Sequence, residues 1–517
     1  MASTASSPST FITVPNFSKT CRGSIFKKKK PFNFVSKKVV PCKANNGAQN
    51  NAESCLNRFD RRDILLGLVR SLYGATNTTM GVDCCPPVST TIIDFKPPSI
   101  CKIRYRPAAH LVDSRYLKKL EQALRRMREL DEDDLRSFMQ QANVHCAYRN
   151  DAYPQTLFPS QQIQVHNSCL FSPFHKLYLY FFERILGKLI NNLDFAIPYW
   201  NWDSSSGMSM PEIYVGSNSP LYDSKRDLSH PPPSLVNLND GKDNDLSRER
   251  QIKCNLNFMY KEMVRTKTHS RFFRKEYPAG FTPDPGAGST WNGSHIVIHR
   301  VGDKEEPYHE DIGNFYSAGR DPIFYAHHAN VDRMLTEHWL NFTFLFYDEN
   351  KNLVCVKVRD CLDSGHLGYD YQSVDFSWLG SKATPRRCGQ ASRPPLPSGH
   401  APSRAMAAKI NNTIAFPIVL EKIVRFKVPR PKKSRTKIGK KDEDEEEEKK
   451  EVLVIETNQL DKDDPVKFDV CINDDDDKDD GKPVGPEDSE FVGSFTNLPH
   501  GHGQLAANLT TTLTFSI

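Results

Sequence analysis

Six of the sixteen histidines in this 517-residue chain recur at places where their rings could gather round a metal ion. His295 and His299 stand four residues apart in WNGSHIVIHR, so on a helix both rings fall on one face. Alone, such a pair is equally well explained as polar residues on a half-buried helix. The zinc protease motif H-E-x-x-H requires a glutamate after the first histidine as general base, and here that position is Ile296. His145, His166, His175 and His328 complete two groups of three. Imidazole suits copper, iron, nickel and zinc. No inward Asp or Glu accompanies these histidines, which disfavours a di-iron carboxylate bundle with its Glu-x-x-His pairs. Two all-histidine trios facing each other fit a dinuclear copper site.

The elements that must carry these residues show in the apolar periodicity. Leu117, Leu120, Leu124 and Met127 are spaced three, four and three apart, which predicts an amphipathic helix. A second helix follows the acidic DEDD cluster, with Leu135, Phe138, Ala142 and His145 on one stripe, so His145 faces the core. Ser172-Pro173 reads as a cap and first-turn pair opening FHKLYLYFFERILGKLI, with His175 in the first turn. Asp321-Pro322 repeats the device before IFYAHHANVDRMLTEHWL and turns His327 and His328 inward. Residues 204 to 290, rich in Ser, Pro, Asn and Asp, read as long surface connections with short helices. FTFLFYDENKNLVCVKV alternates about an Asp-Glu-Asn turn and predicts a β-hairpin. Past a Pro/Ser/Ala-rich linker, FPIVLEKIVRFKV, VLVIE and FVGSF read as strands of a separate module. The fold expected is a mainly α core, a four-helix bundle holding the dinuclear copper site, followed by a smaller β domain.

The net charge of +6 is unevenly spread: residues 1–52 hold nine Lys/Arg and no Asp/Glu, leaving 60 bases against 63 acids elsewhere, a net of −3. The basic excess belongs to that leader, so nucleic-acid binding gains no support. No run of about 18 uncharged apolar residues calls for a transmembrane span. The acid-free, Ser/Thr/Lys-rich leader has the composition of an organelle transit peptide, and Arg61-Arg62 before a short apolar run resembles a twin-arginine export signal. The alternative is a short amphipathic helix after a tail. In tandem the two signals point to the chloroplast thylakoid lumen.

QANVHCAY, QVHNSCLFSPFHKLYLYFFERILGKLI, PYWNWD and NFYSAGRDPIFYAHHANVDR resemble the plant polyphenol oxidases, the catechol oxidases of the tyrosinase family. The resemblance covers nearly the whole chain. It implies a plastid transit peptide over 1–52, a twin-arginine thylakoid signal over 53–80, and a tyrosinase-like copper domain over 81–340. A β-hairpin segment closing the core (341–386), a linker (387–412) and a C-terminal β domain (413–517) follow. It further implies two copper ions, the first held by His145, His166 and His175, the second by His295, His299 and His328, leaving His327 to point away and bond within the protein. Phe315 matches the aromatic residue that overhangs the second copper, and Cys84 and Cys146 match a disulfide pair. The implied substrates are a phenolic small molecule and dioxygen.

The chain departs from the family it resembles at several points. HCAYRN places Arg149 where plant enzymes carry the cysteine of a thioether to the second histidine of the first site, here His166. Relatives that hydroxylate monophenols carry a glutamate and often an asparagine at the positions of Trp291 and Ile296, which order a proton-accepting water. An indole can only donate a hydrogen bond. The C-terminal β domain also stops early, an arrangement expected to leave open strand edges. The reading these features support is oxidation of o-diphenols to o-quinones with little or no monophenol hydroxylation. The alternatives are an impaired relative kept as a binding protein and, more distantly, reversible dioxygen carriage as in the related haemocyanins. Intact-mass measurement and peptide mapping are expected to show no thioether at His166. A two-hydrogen loss mapped to a peptide linking His166 to any cysteine would contradict this.

Overall fold

The computed structural model describes residues 91–99, 102–149, 153–155, 158–163, 165–166, 168–240, 246–265, 294–300, 309–334, 343–360, 362–384, 420, 424, 452–461, 466–472, 484–497 and 508–516. The leader, the Arg61-Arg62 signal, Cys84, Trp291, the 387–412 linker and most of FPIVLEKIVRFKV lie outside the described residues.

Helix α1 (Ser114–Arg128) starts where the Asp113 side chain accepts from the Tyr116 backbone N–H at 2.7 Å. Its Leu120, Ala123, Leu124 and Met127 are buried, the stripe expected of a helix lying on a core. Helix α2 (Phe138–Arg149) begins after Leu135, which packs on the core from the preceding turn. Helix α3 (Phe171–Leu189) is buried on every side, and the bundle forms round it. Tyr178 of α3 donates to the Gln141 carbonyl of α2 at 2.6 Å. Phe182 stacks on Tyr325 of α6 (Ile323–Arg333) with ring centroids 3.6 Å apart. Between these two come α4 (Arg248–Tyr260) and the short α5 (Ser294–His299). The turn before α6 reaches α2 so closely that a Cβ on Gly319 would stand 3.2 Å from the Ala142 Cα.

The sequence misplaced one cap. Ser172 does not open α3: the helix follows Leu170 without a side-chain cap, and Ser168 closes the turn before it, its Oγ accepting from the Leu170 N–H at 3.1 Å while its carbonyl accepts from Phe171. Asp321 stands one residue before Pro322, the residue that precedes α6, and accepts from the Ile323 N–H at 2.9 Å. Nor are residues 204–240 surface connections: Met208, Tyr214, Leu221 and Leu238 are buried in the main core. Low periodicity concealed this burial, because an irregular backbone repeats no spacing.

The expected hairpin is present, Thr343–Tyr347 antiparallel to Leu353–Lys357, with Ile92–Asp94 added in parallel on the second strand. In the C-terminal region Val452–Asp461 pairs with Asn508–Ser516 and Lys467–Cys471 pairs with Phe491–Thr496, both antiparallel. Val470, Phe495, Leu513 and Phe515 make a small core there. The region docks on α4: Arg250 and the Cys254 thiol reach the two oxygens of Glu487 (2.9 and 3.0 Å). Lys261, in the turn after α4, donates to the carbonyls of Asp488 and Phe491.

Beside the histidines, a buried ionic network ties the bundle together. Glu183 of α3 accepts from Arg104 and Arg106, whose backbone pairs in parallel with Tyr369–Tyr371. Asp332 of α6 takes Lys176 of α3 at 2.9 Å, Arg106 at 3.2 Å, and the hydroxyls of Tyr369 and Tyr371. Burial alone would raise the Asp332 pKa, but Lys176 and Arg106 outweigh it and hold the carboxyl below its ordinary value. Removing one partner leaves the others charged and dry. Asp332→Ala is therefore expected to cost on the order of 3–5 kcal/mol, read as a lower denaturation midpoint. A shift within error would show that the network contributes nothing.

Candidate metal centre

The six histidines singled out in the sequence converge, and a seventh joins them. His145, from α2, lies with His166 of the intervening loop and His175 of α3; their ligand nitrogens are within 4.8 Å of one another. His295 and His299 of α5 form a second group with His327 and His328 of α6 inside the same limit. The groups adjoin: the His175 and His328 rings stack 4.1 Å apart and 9° from parallel. All seven are buried. His327 was expected to point away. It does bond within the protein, accepting at Nδ1 from the Trp202 indole at 3.1 Å, but its ring stays among the others.

Backbone carbonyls set the tautomers. His175 Nδ1 donates to the Phe171 carbonyl one turn earlier, and His299 Nδ1 donates to the Ile312 carbonyl, both at 2.7 Å. Each thereby keeps the Nε2 lone pair free. Nε2 of His145 faces Nε2 of His166 at 3.1 Å, and Nε2 of His299 faces that of His295 at 3.2 Å. Burial drives the rings toward neutrality, pushing His175 down to about 3 and His299 down to about 4. His145, His166 and His328 fall well below the ordinary value for the same reason, helped by neighbouring imidazoles and, for the first two, by the Arg149 cation. Dry, neutral nitrogens aimed at one another, with no carboxylate in either group, are the donor set of a borderline-soft metal. The residues present thus fit a pair of copper ions.

An apolar wall surrounds the nitrogens. Phe315 spans the groups, its ring 5.2 Å from His166 and 5.8 Å from His299, and Ile296 packs against it. Phe171 and Phe324 close the other sides, 4.7 Å from His295 and 4.2 Å from His328. Neither was anticipated; Phe171 was legible as the residue one turn before His175. Arg149 is buried with its guanidinium carbon 5.7 Å from the Phe315 ring. Cys146 is disulfide-bonded, and Cys84, the partner that the resemblance implies, lies outside the described residues.

Beneath the second group, the Ile312 carbonyl is presented by a loop in which His309 and Asp311 take positive φ of 53° and 57°. Burial, then the adjoining Asp223 carboxylate, pushes the Asp311 carboxyl up to about 7, and the two share a hydrogen bond. The folded chain therefore holds a proton there that the unfolded chain gives up near 3.8. This contribution to stability is fully present below that value and is lost as pH rises through about 7. Asp311→Asn is expected to flatten stability against pH across that window. An unchanged slope in denaturation between the two limits would refute the shared proton.

Residues 135–341 match the common central domain of tyrosinase, 335–384 the polyphenol oxidase middle domain, and 416–517 the chloroplastic polyphenol oxidase C-terminal domain. A chloroplastic polyphenol oxidase of Malus domestica is 47% identical over 513 residues, covering 90% of this chain and 84% of its own length. A chloroplastic (+)-larreatricin hydroxylase of Larrea tridentata is 44% identical, with 90% and 85% covered. Among solved structures, latent apple tyrosinase aligns with a TM-score of 0.69 at 46% identity, over 82% of this chain and 92% of that one.

Proposed function

The chain belongs to the plant polyphenol oxidases of the tyrosinase family, which use two copper ions, and from that premise we propose that it oxidises o-diphenols to o-quinones with dioxygen and hydroxylates monophenols little or not at all. His145, His166 and His175 hold the first copper, and His295, His299 and His328 the second. The observation that carries this reading is the pair of buried all-histidine groups whose free nitrogens face one another. When bound, the metal pair relays two electrons at a time between diphenol and dioxygen. Each diphenol gives up two electrons and two protons, so two diphenols reduce one dioxygen to two waters.

The protein's own residues bind, orient and dry the reactants. Phe315 and Ile296 offer an apolar face to the substrate ring, while Phe171 and Phe324 keep water from the nitrogens. Neutral imidazoles add no negative charge that would repel a phenolate. The buried side chain following His295 is that of Ile296, which can take no proton. An o-diphenol gives up its first proton more readily than a monophenol and needs no ring hydroxylation, so it suffers least from the missing base. Hydroxylation is the second reading, favoured by the name of the Larrea tridentata relative. The relatives' names favour the chloroplast as the compartment, and the tandem signal favours its thylakoid lumen.

The test compares tyrosol with hydroxytyrosol at measured copper loading. Two coppers per chain are expected, with hydroxytyrosol oxidised and tyrosol slower by roughly 10²–10⁴-fold. His299→Ala should lose metal and turnover together. A tyrosol rate approaching the diphenol rate would overturn the substrate preference, and two coppers with activity on neither would turn the assignment toward a binding protein.

A further inference from the structure

Distance alone does not distinguish His327 from its neighbours. It belongs to a group of four imidazoles within 4.8 Å, and its ring lies 5.1 Å from that of His295 and 5.0 Å from that of His299. A copper held there could recruit all four nitrogens, and a fourth imidazole would compete with dioxygen for the open position. The hydrogen bond from Trp202 separates His327 from the rest. An indole N–H only donates, so His327 Nδ1 must accept, and the bond admits neither the imidazolium nor the Nδ1–H tautomer. The proton of the neutral ring then sits on Nε2. One lone pair is engaged by the indole and the other nitrogen carries a proton, so His327 has nothing to offer a metal whichever nitrogen faces it. His175 and His299 show the opposite polarity: their Nδ1 atoms donate to carbonyls, which leaves Nε2 bare. Neither nitrogen of His328 is engaged by the protein.

Trp202 is held for this task. It is wholly buried, and the turn that carries it is laced to α6 on both sides of His327. The Trp200 N–H donates to the Ala326 carbonyl at 2.9 Å. Asp203 accepts from Asn330 at 2.9 Å and from Arg333 at 2.7 Å. The indole therefore cannot drift along the helix, and its donor stays opposite His327.

We propose that Trp202 is a positioning residue that bars His327 from coordination, keeping the second copper at three histidines with an open position for dioxygen and substrate. This rests on the copper reading of the site, and the copper content of the parent protein tests that reading separately.

The experiment uses the full chain loaded with copper. Trp202→Phe keeps most of the ring volume and deletes the donor, which frees His327 to shift its proton to Nδ1 and bind through Nε2. The expected result is two coppers per chain, slower copper loss to a chelator, and turnover lower by about tenfold or more. Pulsed electron paramagnetic resonance of the chain carrying one cupric ion at the second site should count four imidazoles in place of three. Adding His327→Gln to Trp202→Phe should restore the parental chelator rate, the three-imidazole count and most of the turnover, which a packing role for Trp202 would not do. Copper lost in step with turnover, or a double variant no better than the single, would overturn the proposal. Should Trp202→Phe fail to fold, His327→Gln alone decides: retention of both coppers at the parental chelator rate is expected, and loss of the second copper would show that His327 is a ligand.

Discussion

Seven imidazoles packed in a dry space must stay unprotonated, and the rest of the bundle is arranged round that constraint. Two protonated rings at these separations would repel strongly in a medium that screens poorly. Neutral rings raise a different difficulty, since each can present either nitrogen. Carbonyls answer it at His175 and His299, and an indole answers it with opposite sense at His327. The donors and acceptors that do this belong to α3, to the loop after α5 and to the turn that carries Trp202. Shifts in any of these would change which lone pairs face inward.

Charge is paired off in networks beside the rings. Asp332 and Glu183 gather three cations and two tyrosine hydroxyls between α3 and α6. Asp321 pairs with Arg226 next to the Asp223 and Asp311 carboxyls. Both networks join segments far apart in sequence, so they fix the helices against one another while the centre stays apolar. Arg149 is a cation among apolar rings at the end of α2. A permanent positive charge there disfavours further positive charge on His145 and His166, the direction in which burial already acts.

The helices and their histidines were legible because both follow a period. Leu120, Leu124 and Met127 repeat at helical spacing, and His295 and His299 repeat at one turn. His327 was harder, because the helix reading turned it inward with His328 while the resemblance turned it away, and in the folded chain both rings face inward. Residues 204–240 eluded periodicity altogether; their backbone is irregular, and Met208 and Leu238 are buried by contacts that no local pattern encodes. Ser172 misled because a Ser-Pro pair satisfies the composition of a cap wherever it falls, while α3 begins at Phe171 without a side-chain cap. The tautomer of His327 depends on a partner 125 residues away and belongs to the fold alone.

The strand Phe491–Thr496 has divided allegiance. Phe495 faces the small C-terminal core, whereas Phe491 is counted among the buried residues of the helical domain and meets Phe258 of α4 at 6.2 Å. Pulling the C-terminal region away would therefore do more than break the ion pair at Glu487. It would extract a large aromatic side chain from the main interior and wet the hole left beside Phe258, much as truncating a core phenylalanine does. A chain parted from this region would carry a freshly opened greasy socket on its flank, and its fate in solution would turn on what came to fill that socket.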